Sequence, residues 1–287
     1  MIKAVSLIAD LAIIVFVVTS MLDMGLSLSV GQIAAPLRQR KLVALALLAN
    51  FVLVPLVALL IRALIPLREG HAIGLLLLAT AAGAPFLPKL TQIAKSNIAL
   101  SVGLMGLLMV VTVAYVPVVL PLLLPGVAVN PLDIARSLVL VMLIPLGIGL
   151  LARARTPALA GRLRPWFTRI SSAAFLVVFV SMLFVHWRKI LSAFGSSAIL
   201  AALLFVAASL IIGYLLGGRE TETRTVMTLG TTQRNISAAL VVAARNFTDP
   251  DVIVMVLSAD LLMLSALILL AAVLGRRRSA PVTVAAE

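Results

Sequence analysis

The chain has 287 residues, of which 63% are hydrophobic and 11% are charged. Soluble globular proteins contain about 45–50% apolar and about 25% charged residues, so this composition excludes a soluble fold. The apolar runs are continuous, which excludes an outer-membrane β-barrel and predicts an all-α polytopic membrane protein. We attribute the net charge of +13 to basic cytoplasmic loops and expect no nucleic-acid partner. The absence of cysteine excludes disulfides and thiolate chemistry.

Hydropathy and helix-breaking residues predict about nine transmembrane helices, each with the roughly 20 residues that a span requires. In chain order these spans cover about 4–28, 41–65, 70–95, 97–124, 132–153, 168–187, 193–216, 223–246 and 251–274. If the N-terminus lies outside, about twice as many Lys and Arg residues fall on the inner side as on the outer side. This bias predicts a multi-pass protein of the cell's inner (plasma) membrane with a cytoplasmic C-terminus.

The third predicted helix is interrupted. It contains the string AAGAPFLPKLTQIAKSN, in which Gly83, Pro85 and Pro88 lie close together. Proline removes a main-chain donor and clashes with the preceding turn of a helix. About 12 residues lie between His71 and this region, and at 1.5 Å per residue they reach only about 18 Å. The sequence therefore predicts a break near the middle of the bilayer.

The eighth predicted helix is interrupted as well, at the polar string TLGTTQRNISAAL. Gly230 can unwind the chain, and Thr231, Thr232 and Asn235 are residue types that cap a new helix. The alternative is a surface loop with a short helix on each side. Two interrupted segments, one in each half of a chain, are typical of the binding site of a secondary transporter. Non-helical backbone at that depth must be buried or line a wet cavity.

The two halves have a similar layout, because each ends in a broken helix followed by a long continuous one. We therefore predict two inverted repeats, at 1–125 and 126–275, and a basic cytoplasmic tail at 276–287. The tail's Arg276–Arg278 cluster is interpreted as a cytoplasmic stop that contacts anionic membrane lipids.

The layout and three strings resemble the bile acid:sodium symporter family of secondary transporters. The strings are MGLSL (24–28), NIALSV (97–102) and GTTQRNISAALVVA (230–243). The resemblance implies a core domain with two crossing discontinuous helices, and a panel domain. It also implies that an organic anion, such as a bile acid or a smaller carboxylate, binds between them and crosses by alternating access. No enzymatic activity and no cofactor are expected.

The resemblance implies a set of sodium ligands that this sequence mostly lacks. At the family's positions, Thr228 stands in place of a glutamate, Thr232 and Gln233 in place of a Gln-Asn pair, Leu87 and Pro88 in place of a Ser-Asn pair, and Met105 in place of a threonine, whereas Ser101 matches. We therefore expect degraded sodium sites. Transport could be coupled to sodium or to a proton, or it could be uncoupled, as in facilitated diffusion.

Lys89 and Arg234 lie one in each predicted crossover. A charge at bilayer depth costs at least about 2.5–3.5 kcal/mol, so such side chains normally face the protein interior. We predict that they replace sodium, hold the half-helices together and neutralise an anionic substrate, together with the half-helix N-termini. Alternatively, Lys89 reaches an interface, and Arg234 pairs with Asp260, Asp23 or Asp10. Asp260 is also a candidate for proton coupling.

The predicted substrate- and ion-binding residues are Pro88, Lys89, Thr91, Ser101, Thr228, Thr231, Thr232, Gln233, Arg234, Asn235 and Asp260. No metal site is expected. Sequence motifs of metalloproteases and of serine hydrolases, HExxH and GxSxG, are missing from the sequence. The alternative to transport is an intramembrane aspartyl-type hydrolase, which would need Asp23 and Asp260 to face each other.

Overall fold

The structure is a computed structural model that describes residues 2–29, 31–32, 39–124, 130–194 and 197–279. Within these ranges the protein consists of helices and short connections, without strands. The helices are α1 (Ile2–Ser27), α2 (Arg40–Leu64), α3 (Glu69–Thr80), α4 (Leu87–Ile93), α5 (Ile98–Leu123), α6 (Pro131–Arg155), α7 (Pro157–Phe194), α8 (Ser197–Leu216), α9 (Thr221–Thr232), α10 (Ile236–Asn246) and α11 (Pro250–Ser279). The all-helical membrane fold agrees with the prediction.

Both predicted interruptions are confirmed. Residues 81–86 separate α3 from α4, and residues 233–235 separate α9 from α10. Among the described residues, five helices are long and apolar enough to cross a membrane, namely α2, α5, α6, α8 and α11. The count of nine spans and the inverted repeats stay predictions.

Helix α2 contains a π-turn that frees main-chain oxygens. Over Ala49–Leu53 the chain forms i→i+5 hydrogen bonds, and the N–H of Val54 donates to the carbonyl of Ala49. The next residue, Pro55, has no N–H. The carbonyl of Asn50 therefore has no donor in its own helix, and the carbonyl of Phe51 lacks the donor four residues later, so both can accept from other elements.

The helices form two packed groups. Helix α1 packs along α6 and α7, and we call these three helices the panel group. Gly25 of α1 and Gly149 of α6 face each other so closely that a Cβ on either would lie 2.8 Å from the other's Cα. Helices α3–α5 and α9–α11 surround the two breaks, with α2 and α8 packed against them, and we call these eight helices the core group.

The ends of the helices define two faces of the protein. At the N-terminal face, where α3 and α11 begin, Arg68 forms an ion pair with Asp251 at 3.8 Å. At the opposite, C-terminal face, α4 and α11 end. The first residues of the predicted basic tail are helical, because α11 continues to Ser279 and carries Arg276–Arg278 in its last turn. Residues 280–287 of that tail lie outside the described residues.

Candidate functional site

The two breaks meet inside the core group, and Asn235 joins them. Its main-chain N–H donates to the carbonyl of Ala81 at 2.9 Å, and its Nδ2 donates to the carbonyl of Gly83 at 3.1 Å. Its Oδ1 accepts from the N–H of Ala238 at 3.1 Å and so caps α10. Residues 230–235 are buried, so the alternative of a surface loop in this region is wrong.

Helix α5 satisfies the backbone of the first break. The Oγ1 of Thr112 accepts from the N–H of Ala82 at 2.9 Å and donates to the carbonyl of the same residue at 3.0 Å. The next residue, Gly83, has a φ of +79° and lies directly against the backbone of α5 at Met109. Buried main-chain groups outside a helix require such partners.

Arg234 lies at the centre of the crossing and is 0% exposed. Its Nε donates to the carbonyl of Leu78 at 2.9 Å. Its Nη1 donates to Asn50 Oδ1 at 2.7 Å and to the carbonyl of Thr231 at 3.1 Å. Its Nη2 donates to the carbonyl of Ala79 at 2.7 Å and, weakly, to the carbonyl of Asn50 at 3.5 Å. All five N–H groups of the guanidinium are therefore used by neutral oxygens of the protein.

The acceptors around Arg234 explain how a cation is stabilised there. Leu78 and Ala79 lie in the last turn of α3, and Thr231 lies in the last turn of α9. A helix C-terminus carries about −0.5 of an elementary charge, so two such ends amount to about −1. The interpretation that Arg234 pairs with Asp260 or Asp23 is wrong, because its donors are already used. The side chain of Asp10, the third proposed acid, lies outside the described part.

Lys89 does not join Arg234 at the crossing. Its side chain is exposed, and Nζ donates to Gln92 Oε1 at 3.1 Å. Helix α4 has seven residues and buries the face that carries Leu87, Leu90 and Thr91. Residue 89 lies on the other side of that short helix. The prediction of a second buried cation is therefore wrong at Lys89, and the alternative of a side chain that reaches an interface agrees with its exposure.

Most of the predicted hydroxyl ligands are hydrogen-bonded within their own helices. Thr91 donates to the carbonyl of Leu87, Ser101 to that of Ile98, Thr228 to that of Arg224, and Thr232 to that of Thr228. Each hydroxyl donates to a main-chain carbonyl three or four residues earlier, and this leaves its oxygen able to accept. Pro88 is half-buried at the start of α4.

Three predicted site residues carry a buried oxygen without a hydrogen-bond partner in the described structure. They are Thr231 with Oγ1, Gln233 with Oε1 and Asp260 with Oδ1. Thr231 lies in the last turn of α9, Gln233 is the C-cap residue of that helix, and Asp260 lies on α11. Buried polar atoms normally have partners, so these oxygens are available as acceptors for a cation, a proton or a solute.

The two aspartates that a hydrolase would use have separate surroundings. The Oδ1 of Asp23 accepts from Thr168 Oγ1 at 2.7 Å and lies 3.5 Å from Arg164 Nε. These contacts join α1 to α7 within the panel group. Asp260, in contrast, is buried on α11 of the core group. The carboxylate of Asp23 is therefore used in packing the panel group.

The sequence analysis did not select three polar residues that support the crossing. Asn50 accepts a hydrogen bond from Arg234, and Thr112 binds Ala82 in the first break. Tyr115 donates to the carbonyl of Phe51 at 2.5 Å. Asn50 lies in the apolar middle of α2, and Thr112 and Tyr115 lie one turn apart in the apolar middle of α5. An uncompensated polar residue in a span is costly, and this was the signal that could have found them.

Arg278 was assigned to lipid contact, but its guanidinium binds the protein. It donates to the carbonyls of Ala94 at 3.1 Å and Lys95 at 2.8 Å, where α4 ends. It also donates to Thr225 Oγ1 at 2.9 Å and to the carbonyl of Thr221 at 3.3 Å, where α9 begins. The two broken helices are therefore joined by one arginine at the crossing and by another at the C-terminal face.

The contacts of Asn235 predict a specific effect of an isosteric change. In Asn235→Asp, Oδ1 still caps α10, but the donor to the carbonyl of Gly83 becomes a second carboxylate oxygen. We expect the free energy of unfolding to fall by about 2–4 kcal/mol, because a buried charge faces a buried carbonyl without a proton between them. The measurement is the melting temperature of the detergent-solubilised protein.

Asn130→Asp is the matched control for this variant. Asn130 is an exposed cap whose Oδ1 accepts from the N–H of Leu132 at 2.9 Å. Aspartate caps a helix equally well, so no loss of stability is expected there. Equal melting temperatures of Asn235→Asp and Asn130→Asp would contradict the bridging role of the Asn235 amide.

Comparisons with known proteins place this architecture in a family. Residues 12–194 match the sequence model of the sodium bile acid symporter family. The chain is 26% identical over 195 residues to a probable sodium/metabolite cotransporter BASS3, chloroplastic, of Oryza sativa subsp. japonica. The aligned residues make up 68% of this chain and 46% of that relative. The corresponding protein of Arabidopsis thaliana is 25% identical over 195 residues, with 68% and 45% covered.

A probable sodium/metabolite cotransporter BASS1, chloroplastic, of Oryza sativa subsp. japonica is 26% identical over 248 residues, with 85% of this chain and 61% of the relative covered. The chain thus spans about half the length of the first two of these relatives. The family match extends from α1 through the first break to the end of α7. Because this match covers more than half of the chain, the protein belongs to the sodium bile acid symporter family.

Proposed function

We propose that the protein is a secondary transporter that moves a small organic anion across the cell's inner membrane by alternating access between the core group and the panel group. The observation that carries the proposal is the buried crossing of two interrupted helices, joined through Asn235. Interrupted helices that meet inside the membrane are the usual location of a transporter's binding site. Family membership and the cotransporter relatives support the same activity. In this proposal the N-terminal face lies outside.

Arg234 acts as a permanently bound cation in this proposal. Its five hydrogen bonds hold the C-terminal ends of α3 and α9 and both oxygens of Asn50, in the main chain and in the side chain. A mobile cation at such a position would be coordinated by the same kind of carbonyl oxygens. The guanidinium keeps no N–H for a solute, so its role is to hold the crossing together. The anion is bound by other groups.

This role predicts that uptake does not depend on sodium. We expect liposomes containing the protein to take up at least one of labelled acetate, succinate and cholate, and to do so equally when choline replaces sodium on both sides. The reason is that a side chain fills the cation position, while most of the ligands expected of the family are replaced, as at Thr228 and Met105. Liposomes without protein give the baseline.

The same vesicles test the coupling ion and the competing activity. We expect an imposed proton gradient, rather than a sodium gradient, to drive accumulation, with Asp260 as the group that carries the proton. Asp260→Asn should then abolish accumulation while exchange of labelled for unlabelled anion continues. Uptake that requires sodium would contradict the role of Arg234. Cleavage of a membrane peptide without any uptake would contradict transport.

A further inference from the structure

A cavity opens at the N-terminal face between the panel group and the core group. It has a volume of about 520 Å³, which lies within the range of small-molecule sites. One wall is the first part of α6, with Asp133, Arg136 and Ser137, and the other is the end of α10, with Arg245 and Asn246. Two guanidinium groups and one carboxylate give this lining a positive net charge.

The cations of this face differ in what they bind. Four basic side chains are described there. Arg62 donates to the carbonyl of Leu123 at 3.2 Å, and Arg68 is paired with Asp251. Arg136 and Arg245 make no hydrogen bond and no ion pair with the described residues. The two basic groups without a protein partner are therefore the two that share the cavity.

The placement of these arginines also needs a reason. Basic residues are depleted from the outer loops of membrane proteins, so an outer pair that makes no hydrogen bond and no ion pair with the described residues is unexpected. Arg136 belongs to the panel group and Arg245 to the core group, and the proposed mechanism moves these two groups against each other. A solute held by both side chains would contact both groups at once.

We propose that Arg136 and Arg245 form a binding site for the carboxylate of the transported anion at the N-terminal face, before the solute reaches the crossing. Guanidinium groups bind carboxylates through paired N–H donors, and a positively charged cleft raises the local concentration of anions. Asp133, one turn before Arg136, opposes this attraction and sets its strength. The inference rests on the proposed transport and adds the groups that first select for negative charge.

The test is the kinetics of uptake by variants in liposomes of neutral phosphatidylcholine, with whichever of acetate, succinate and cholate the wild type takes up. We expect Arg136→Gln and Arg245→Gln each to raise KM about threefold, and the double variant about tenfold, with the maximal rate unchanged. Asp133→Asn should lower KM. In the wild type KM should rise with added potassium chloride, whereas in the double variant it should respond little.

Arg62→Gln is the matched control, because this arginine lies on the same face outside the cavity. It should leave KM unchanged. Equal KM values for the wild type and the double variant would overturn the inference while leaving transport intact. A KM effect that occurs only when phosphatidylglycerol is added would assign the arginines to lipid headgroups and also overturn it. If the wild type takes up no carboxylate, the proposed transport fails and the inference fails with it.

Discussion

Replacing Arg234 with alanine should abolish uptake and lower the free energy of unfolding by about 3–5 kcal/mol. The change removes one buried charge, takes away the donor of the carbonyls of Ala79 and Thr231, and leaves the carbonyl of Leu78 with the N–H of Ala81 as its donor. Those oxygens belong to the C-terminal ends of two helices, whose negative partial charges would then face each other without compensation. The melting temperature in detergent and uptake in liposomes measure the two effects.

A dissolved cation should partly rescue this variant. The cavity left by the side chain would be lined by the same carbonyl oxygens and by Asn50 Oδ1, which are suitable ligands for sodium or for free guanidinium ion. At ten times its Kd, such an ion would return about 1.4 kcal/mol of stability. We therefore expect the melting temperature of Arg234→Ala to be higher in sodium or in dilute guanidinium than in choline. The wild type should show no difference between sodium and choline.

Two further variants separate charge from general damage. Arg234→Lys keeps the charge but has three donors in place of five, so its melting temperature should lie between those of the wild type and Arg234→Ala. Lys89→Ala removes an exposed cation and should change stability by no more than about 0.5 kcal/mol. An Arg234→Ala protein that melts like the wild type in choline would refute the assignment of Arg234 as a built-in cation.

The two breaks could be predicted from the sequence because their residue types rarely occur together inside an intact apolar helix. Gly83, Pro85 and Pro88 disrupt a helix wherever they lie, and the polar string around Gly230 has no place on a lipid-facing surface. Hydropathy alone then placed both breaks near the bilayer centre. The contact between the breaks agreed with the expectation of crossing helices.

The partners of the two basic residues could not be predicted in the same way. Hydropathy gives the depth of Lys89 but not the side of the helix on which it lies, and α4 is too short for a clear periodic pattern. Arg234 was expected to have a carboxylate or a substrate as its partner. Apart from Asn50 Oδ1, its acceptors are main-chain carbonyls of residues up to 184 positions away, and a main-chain carbonyl leaves no mark in a sequence.

Gly83 should be the position, among the glycines that the structure describes, at which a change to alanine is most damaging, because it combines backbone strain with a close contact to another backbone. The residue has a φ of +79°, which strains any L side chain by about 1 kcal/mol or more. Its new Cβ would also overlap the main-chain N of Met109 and lie 2.7 Å from the Cα of Met109 and 2.8 Å from the carbonyl of Met105. A backbone cannot rotate away as a side chain can, so overpacking should add about 1–3 kcal/mol.

The functional effect follows from the position of Gly83 rather than from stability alone. Its carbonyl accepts from Asn235 Nδ2, and the adjacent Ala82 is held by Thr112 of α5. A shift of α5 away from the break would loosen the contact of Thr112, and a shift of residue 83 would loosen the contact of Asn235, so either one would change the geometry of the crossing. We therefore expect Gly83→Ala to lose uptake even at temperatures at which the purified protein is still folded.

Two other glycines serve as controls that separate the backbone strain at Gly83 from the overlap of its new Cβ with α5. Gly218 has a φ of +76° but no atom within 4 Å of a new Cβ, so Gly218→Ala should show the backbone strain alone, about 1 kcal/mol. Gly147 lies in α6 with open space around it, so Gly147→Ala should be neutral or stabilise the helix by up to about 1 kcal/mol. The melting temperatures should therefore increase in the order Gly83→Ala, Gly218→Ala, Gly147→Ala. If Gly83→Ala and Gly218→Ala melt together and both retain uptake, α5 does not hold the first break in place, and the crossing depends on Asn235 and Arg234 alone.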